Sequence, residues 1–248
     1  MNYRAFSPFL RAAFAFTALP ALCSLLLIAR PACAQRLPDT VIPEHYALTL
    51  APDLKAATFT GEETIDATVK KNTRTVTLNA IEINFESVTA SMGCWKTPEV
   101  AVACTRNIRL DAPKISLDKE KQQATFTFSR EIGAGEKLTL VIAYTGILNN
   151  ELRGFYLSKT GRRNYAVTQF ESTDARRAFP CFDELAFKAT FDVSLVVDAA
   201  DTAISNGAIA SDTPGPGAGK HTLRFATTPK MSTYLVAFLV GDFQCASG

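Results

Sequence analysis

One stretch of the sequence, residues 168–185, contains the side chains best suited to contact a ligand. It combines carboxylates, arginines, aromatic rings and a proline, and it lies between segments with the composition of β-strands. If the strand before it continues to Ser172, side chains two positions apart share a face. Gln169 and Glu171 would then point to one side, while Phe170 and Ser172 point to the other and anchor the strand. By itself, this alternation identifies Gln169 and Glu171 as a contact surface.

Besides Glu171, the same stretch carries five charged side chains: Asp174, Arg176, Arg177, Asp183 and Glu184. Charge clusters usually lie at the protein surface, where ion pairs are solvated and weak. We therefore expect these residues to form a solvated salt-bridge cluster that caps a short turn.

The histidines are too few and too far apart for a catalytic zinc site. Such a site needs three protein ligands, two of them from His-Glu-x-x-His, where helical spacing puts both imidazoles on one face. The sequence has two histidines, His45 and His221, which are 176 positions apart on predicted strands and are expected to be scaffold residues. A Gly-x-Ser-x-Gly elbow and a phosphate-binding glycine loop are also absent. No metal or cofactor site is predicted within this chain, and catalysis by the chain alone is not expected.

Alternation of apolar and polar residues with period two dominates the sequence. Tyr46, Leu48 and Leu50 alternate with smaller or polar residues, as do the phenylalanines of residues 125–129. Such segments are typical of strands with one wet face. No segment of residues 35–248 has the 3.6-residue apolar stripe of a long helix, and no linker divides it. The sequence therefore predicts a single all-β domain of packed antiparallel sheets.

Several motifs, in the same order along the chain, resemble the N-terminal domain of zinc aminopeptidases of the aminopeptidase N family. They are Leu37-Pro38-Asp39 with Pro43-Glu44-His45-Tyr46, Phe59-Thr60-Gly61-Glu62, Thr168-Gln169-Phe170-Glu171, Asp174-Ala175-Arg176-Arg177-Ala178-Phe179-Pro180-Cys181-Phe182-Asp183-Glu184 and Tyr234-Leu235-Val236-Ala237-Phe238. Ser172 and Leu185 depart from the pattern, because the family usually has proline at both positions. The resemblance implies a saddle-shaped antiparallel β-sandwich and a chain truncated before the catalytic domain.

The resemblance also implies the roles of two residues. In the family, the glutamate at the position of Glu171 binds the free α-ammonium of the substrate, and the glutamine at the position of Gln169 lines the pocket for its first side chain. The implied partners are the catalytic domain of the full-length enzyme, with its zinc, and peptides with a free N-terminus. A stand-alone β-sandwich binding module that has lost the enzyme is the alternative.

Residues 1–34 read as a signal peptide. Arg4 and Arg11 precede an apolar run, and Ala32-Cys33-Ala34 forms a small-x-small cleavage site before Gln35. We expect the domain to be secreted or periplasmic, with an uncleaved membrane anchor as the alternative. Without the three arginines of this segment, 23 of the 26 basic side chains remain against 24 acidic ones. No basic run interleaved with aromatics remains, so no nucleic-acid partner is predicted.

Export makes disulfides chemically possible for the remaining cysteines. Cys94 and Cys104 flank a segment in which Thr97-Pro98 indicates a turn. The sequence is consistent with two alternatives: a disulfide between these two cysteines, or two free thiols. Cys181, between Pro180 and Phe182, is expected to be a small buried apolar residue.

Overall fold

The computed structural model describes residues 36–93 and 108–243, and within these ranges nearly all regular structure is β-strand. The strands are β1 (Val41–Asp53), β2 (Thr58–Val69), β3 (Thr73–Asn79), β4 (Ile83–Gly93), β5 (Ile108–Arg109), β6 (Lys114–Asp118), β7 (Gln123–Ile132), β8 (Lys137–Ile147), β9 (Gly154–Lys159), β10 (Asn164–Gln169), β11 (Thr190–Asp198), β12 (Thr202–Ser205), β13 (Ile209–Pro214), β14 (Lys220–Phe225) and β15 (Phe238–Gly241). Two short 3-10 helices, Ala175–Arg177 and Thr233–Leu235, interrupt them. The all-β prediction is confirmed. In these described ranges, no helix is long and apolar enough to cross a membrane.

The largest sheet has eight strands in the order β13-β14-β11-β1-β2-β8-β4-β5. Its neighbours are antiparallel except β1 and β11, which pair in parallel from His45 opposite Thr190 to Leu50 opposite Leu195. A parallel pair needs a long crossover connection. Here the connection between β1 and β11 contains β2 to β10. Because β2 pairs with one edge of β1 and β11 with the other, β1 lies in the interior of the sheet.

Two smaller sheets pack against the large one. One has the order β12-β15-β10-β9, and the other has the order β3-β7-β6. Phe59 of the large sheet lies 5.2 Å, between ring centroids, from Phe155 of the four-stranded sheet, and Phe85 lies 5.5 Å from Phe126 of the three-stranded sheet. Such tilted and edge-to-face ring pairs are favourable beyond the apolar area that they bury. Aromatic residues therefore form the contacts between the layers of the sandwich.

The predicted alternation is present in the core. Tyr46, Leu48 and Leu50 are all buried in β1, and strand β8 alternates buried and half-buried residues along its length. Residues Thr233–Leu235 form a 3-10 helix, and β15 starts three residues after it, at Phe238. The helix places the Thr233 hydroxyl where it donates to a buried carboxylate, described below.

Candidate functional site

Gln169 is the last residue of β10, and Glu171 lies beyond it in a turn of residues 170–174. The prediction that the strand continues to Ser172 is therefore wrong, and Ser172 is exposed rather than anchoring. The peptide bond between Glu171 and Ser172 is cis. Gln169 and Glu171 are nevertheless both exposed, with Phe170 buried between them. A turn, and not strand alternation, presents the Glu171 carboxylate to solvent.

The start of the turn is fixed by packing in the core. The Phe170 ring lies edge-on to Phe179 and Phe238, at centroid distances of 6.0 and 5.7 Å. Just before it, the Thr168 hydroxyl accepts a hydrogen bond from the backbone N–H of Phe238 at 3.0 Å. The exposed residues Gln169 and Glu171 are thus attached to buried neighbours on β15.

The end of the turn is fixed by hydrogen bonds. The N–H of Asp174 donates to the carbonyl of Phe170 at 2.9 Å, and the N–H of Arg177 donates to the carbonyl of Asp174 at 3.1 Å. The Glu171 carboxylate itself has no hydrogen-bond or ion-pair partner among residues 36–93 and 108–243. The turn therefore holds a free carboxylate at the surface on a closed backbone loop.

Two of the five charged residues that follow or close this turn are buried, and the other three are half-buried. Arg177 and Asp183 have exposed fractions of 4 % and 1 %, and the Nε of Arg176 donates to Oδ2 of Asp183 at 2.9 Å. The prediction of a solvated salt-bridge cluster is wrong for Arg177 and Asp183, and Arg176 is half-buried. Asp174 and Glu184 are half-buried, and Glu184 accepts a hydrogen bond from the N–H of Leu37. Buried charges are stable only when paired, and here the partners come from the fold itself.

Asp183 joins three segments of the chain. Besides Arg176, its carboxylate accepts a hydrogen bond from the hydroxyl of Thr233 at 2.7 Å. Its backbone N–H donates to Oδ1 of Asn79, at the end of β3, at 3.3 Å. The segment after the Glu171 turn is therefore tied both to the three-stranded sheet and to the 3-10 helix before β15.

Arg177 lies between two carboxylates. Its Nε donates to Oδ1 of Asp174 at 2.8 Å. Its Nη1 lies 2.8 Å from Oε2 of Glu82, an ion-pair distance, although the N–H direction does not meet the angle of a hydrogen bond. Burial acts to lower the pKa of Arg177, but the interactions with Asp174 and Glu82 raise it overall, so the guanidinium is charged. The local sequence does not indicate this arrangement, because Glu82 is distant from Arg177 in the chain.

Glu63 is a buried carboxylate that the sequence reasoning missed. It lies on β2 with an exposed fraction of 1 %, and neither carboxylate oxygen has a hydrogen-bond partner in the described part of the chain. Burial raises the pKa of the Glu63 carboxyl well above its usual range. The nearby hydroxyl of Tyr144 also has no partner among those residues, and burial raises its pKa as well. The alternation of β2, in which Phe59 and Ile65 face inward, would have placed Glu63 in the core.

The two histidines lie on strands, as predicted, and each bonds to its own neighbours. His45 Nδ1 lies 2.7 Å from the hydroxyl of Thr190, and His221 Nδ1 lies 2.7 Å from Oδ1 of Asp212. No group of three or more His, Cys, Asp or Glu side chains among the described residues could hold a metal ion. The side chains that the structure describes therefore do not fit a zinc site.

Cys181 is a free, fully buried cysteine, as predicted. Burial raises the pKa of its thiol well above the ordinary value, which keeps the thiol protonated and unreactive. Cys94 and Cys104, and the predicted signal segment of residues 1–34, lie outside the described residues.

Comparison with known families identifies the class to which this fold and turn belong. Residues 42–235 match the family described as the Peptidase M1 N-terminal domain. The match runs from the second residue of β1 through β14 and includes the Glu171 turn and the buried ion pairs behind it. The chain belongs to the M1 peptidase family, and the described domain is its N-terminal domain.

The similar proteins are aminopeptidases. Aminopeptidase 2 of Candida albicans is 38% identical over 85% of this chain and 21% of its own length. Puromycin-sensitive aminopeptidase of Caenorhabditis elegans is 38% identical over 86% of this chain and 22% of its own length. Aminopeptidase N of Acetobacter pasteurianus is 33% identical over 89% of this chain and 61% of its own length. The chain thus spans about a fifth of the length of the first of these relatives.

Proposed function

We propose that this chain supplies the N-terminal domain of an exported zinc aminopeptidase, and that Glu171 binds the free α-ammonium of the peptide substrate. The observation that carries the proposal is a free, exposed carboxylate on a closed turn, at the position where the family uses a glutamate for this purpose. An enzyme that removes one residue at a time must hold the amino terminus at a fixed distance from the reacting bond. A carboxylate does so through a charge-assisted hydrogen bond.

Gln169 has a supporting role in this proposal. It is exposed at the end of β10, two positions before Glu171, and its amide can both donate and accept hydrogen bonds. It would line the pocket for the first side chain of the peptide. The zinc and its ligands would belong to a catalytic domain beyond the described residues, which is the partner that this domain requires.

The experiment uses the full-length product of the coding sequence and a reporter peptide with a free amino terminus. Glu171→Gln keeps the size of the side chain and removes its charge, so kcat/KM should fall by the value of a charged hydrogen bond, about 2–3 kcal/mol or roughly 30- to 150-fold. The matched control is Glu62→Gln, an exposed glutamate on β2, which should change kcat/KM by less than about twofold.

An N-acetylated peptide separates amine recognition from general damage. Wild-type enzyme should cleave it poorly, and Glu171→Gln should not reduce that residual rate further. A folded Glu171→Gln variant with wild-type kcat/KM on the free-amine peptide would overturn the site assignment. Unaltered activity of the wild type on both peptides would favour an endopeptidase, and no cleavage of either would favour the binding module.

Export is tested separately. The charge and apolar pattern of residues 1–34 supports cleavage before Gln35. Amino-terminal sequencing of protein recovered outside the cytoplasm should therefore begin at Gln35. Membrane-bound protein that still begins at Met1 would show an anchor instead.

A further inference from the structure

The side chain of Arg177 lies between the strand partner of Gln169 and the last residue of the Glu171 turn. Its stem lies against Gly154, where an added Cβ would be 2.6 Å from the Cβ of Arg177. Gly154 is the residue opposite Gln169 in the pairing of β9 with β10. At its other end, Arg177 holds Asp174, the last residue of the Glu171 turn, through Nε. The buried side chain of Arg177 therefore reaches from Gly154, at the start of β9, to Asp174, at the end of the Glu171 turn.

The guanidinium is held in this position by charge. Asp174 lies on one side and Glu82, in the connection between β3 and β4, lies on the other, each at 2.8 Å. Backbone contacts support the same geometry, because the N–H of Ile81 donates to the carbonyl of Arg176 at 3.1 Å. The Glu171 turn is thus connected through Arg177 to a separate part of the sandwich.

The buried ion pairs of Arg177 do not by themselves indicate a role in stability. A buried ion pair can often be replaced by apolar side chains with no loss of stability, because desolvation of the charges offsets their attraction. A planar guanidinium, in contrast, fixes the direction of its carboxylate partners. Arg177 is suited to fixing the position of a neighbouring group.

We infer that Arg177 is a positioning residue for amine recognition, which holds the 170–174 turn so that the Glu171 carboxylate meets the substrate ammonium in one orientation. The inference rests on the proposed function of Glu171. Arg176 provides a matched comparison: it is the preceding residue and pairs with a buried carboxylate, but its partners are Asp183 and Gln122 rather than the turn.

The test measures kcat/KM of the full-length enzyme on the free-amine reporter peptide for Arg177→Lys and Arg176→Lys. Lysine keeps the charge but cannot contact two carboxylates through a planar fork. Because a displacement of about 1 Å at a binding group can cost up to about a hundredfold, Arg177→Lys should lower kcat/KM by about tenfold or more. Arg176→Lys should lower it by less than about twofold. Asp174→Asn, at a half-buried site, should also lower it and serves if Arg177→Lys does not fold.

Double variants distinguish positioning from general damage. If Arg177 acts through Glu171, then Arg177→Lys and Asp174→Asn should have no further effect in the Glu171→Gln background, since the group that they position has already lost its charge. Losses that persist undiminished in that background would overturn the inference, as would wild-type kcat/KM in both single variants. A Glu171→Gln variant with wild-type kcat/KM would instead overturn the proposed site, and the inference with it.

Discussion

Replacement of Glu63 by glutamine should make the stability of the domain less dependent on pH. The Glu63 carboxyl is 1 % exposed with no hydrogen-bond partner in the described part of the chain, and burial raises its folded-state pKa well above 4.5. In the unfolded chain the same carboxyl has its ordinary pKa and is ionised at neutral pH. The folded protein therefore binds a proton at Glu63 that the unfolded protein has released.

The sign and size of the effect follow from this difference. Because the folded pKa is the higher one, the contribution of Glu63 to stability is fully present below the unfolded pKa and is lost as the pH rises toward the folded pKa. The loss is about 1.4 kcal/mol per pH unit in that window. Glu63→Gln does not titrate, so its stability should not show this loss.

Urea unfolding followed by far-ultraviolet circular dichroism, at steps between pH 4 and pH 8, measures this directly. The difference in unfolding free energy between wild type and Glu63→Gln should change with pH, in favour of the variant as the pH rises. Glu62→Gln, on the opposite face of β2, should give a constant difference within about 0.5 kcal/mol. Parallel curves for wild type and Glu63→Gln would refute the reasoning, because they would mean that Glu63 titrates normally in the folded state.

Three further perturbations test other parts of the structure. The pKa of His221 is raised, chiefly by its hydrogen bond to Asp212, so the stabilisation from protonated His221 should be fully present below pH 6.5 and lost as the pH rises through the folded-state pKa. The His221→Gln variant should lack this pH dependence when its unfolding free energy is measured from pH 5.5 to pH 9. Asp183→Asn should destabilise the domain by about 3–5 kcal/mol in a denaturant titration, because it leaves the Arg176 guanidinium without its anionic partner, whereas Asp111→Asn, at an exposed site, should be nearly neutral. Gly154→Ala should cost about 2 kcal/mol or more by thermal or chemical unfolding, because Gly154 has φ +66° and its added Cβ would meet Arg177; Gly161→Ala, with open space around it, serves as the control.

The strands and their buried faces could be predicted from the sequence, because period-two alternation depends only on local geometry. Tyr46, Leu48 and Leu50 illustrate this. The partners of each strand could not be predicted in the same way. Alternation specifies which face of β1 is buried but not that β11 lies beside it in parallel, since that pairing depends on chain connections across the whole domain.

The local geometry of the candidate site could be predicted only in part, for a related reason. Exposure of Gln169 and Glu171 around a buried Phe170 followed from the local pattern, although β10 ends before Glu171. Burial of Arg177 did not follow, because a charged residue enters a core only where distant residues supply its counter-charge. Glu82 does so here, and nothing adjacent to Arg177 in the sequence indicates it.

The parallel pairing of β1 with β11 has a consequence for synthesis of the chain. His45 and Thr190 are neighbours across that pair, yet they are 145 positions apart. At about 5–20 residues per second, a ribosome needs roughly 7–30 s to add that many residues. Throughout that interval β1 can pair with β2 on one side, but its other edge remains without a partner. An open, apolar strand edge is a template for association with other chains. Until β11 has been synthesised, the free edge of β1 can therefore pair with other chains and cause aggregation. A chaperone that binds extended strands would have this edge of β1 to bind during the same interval.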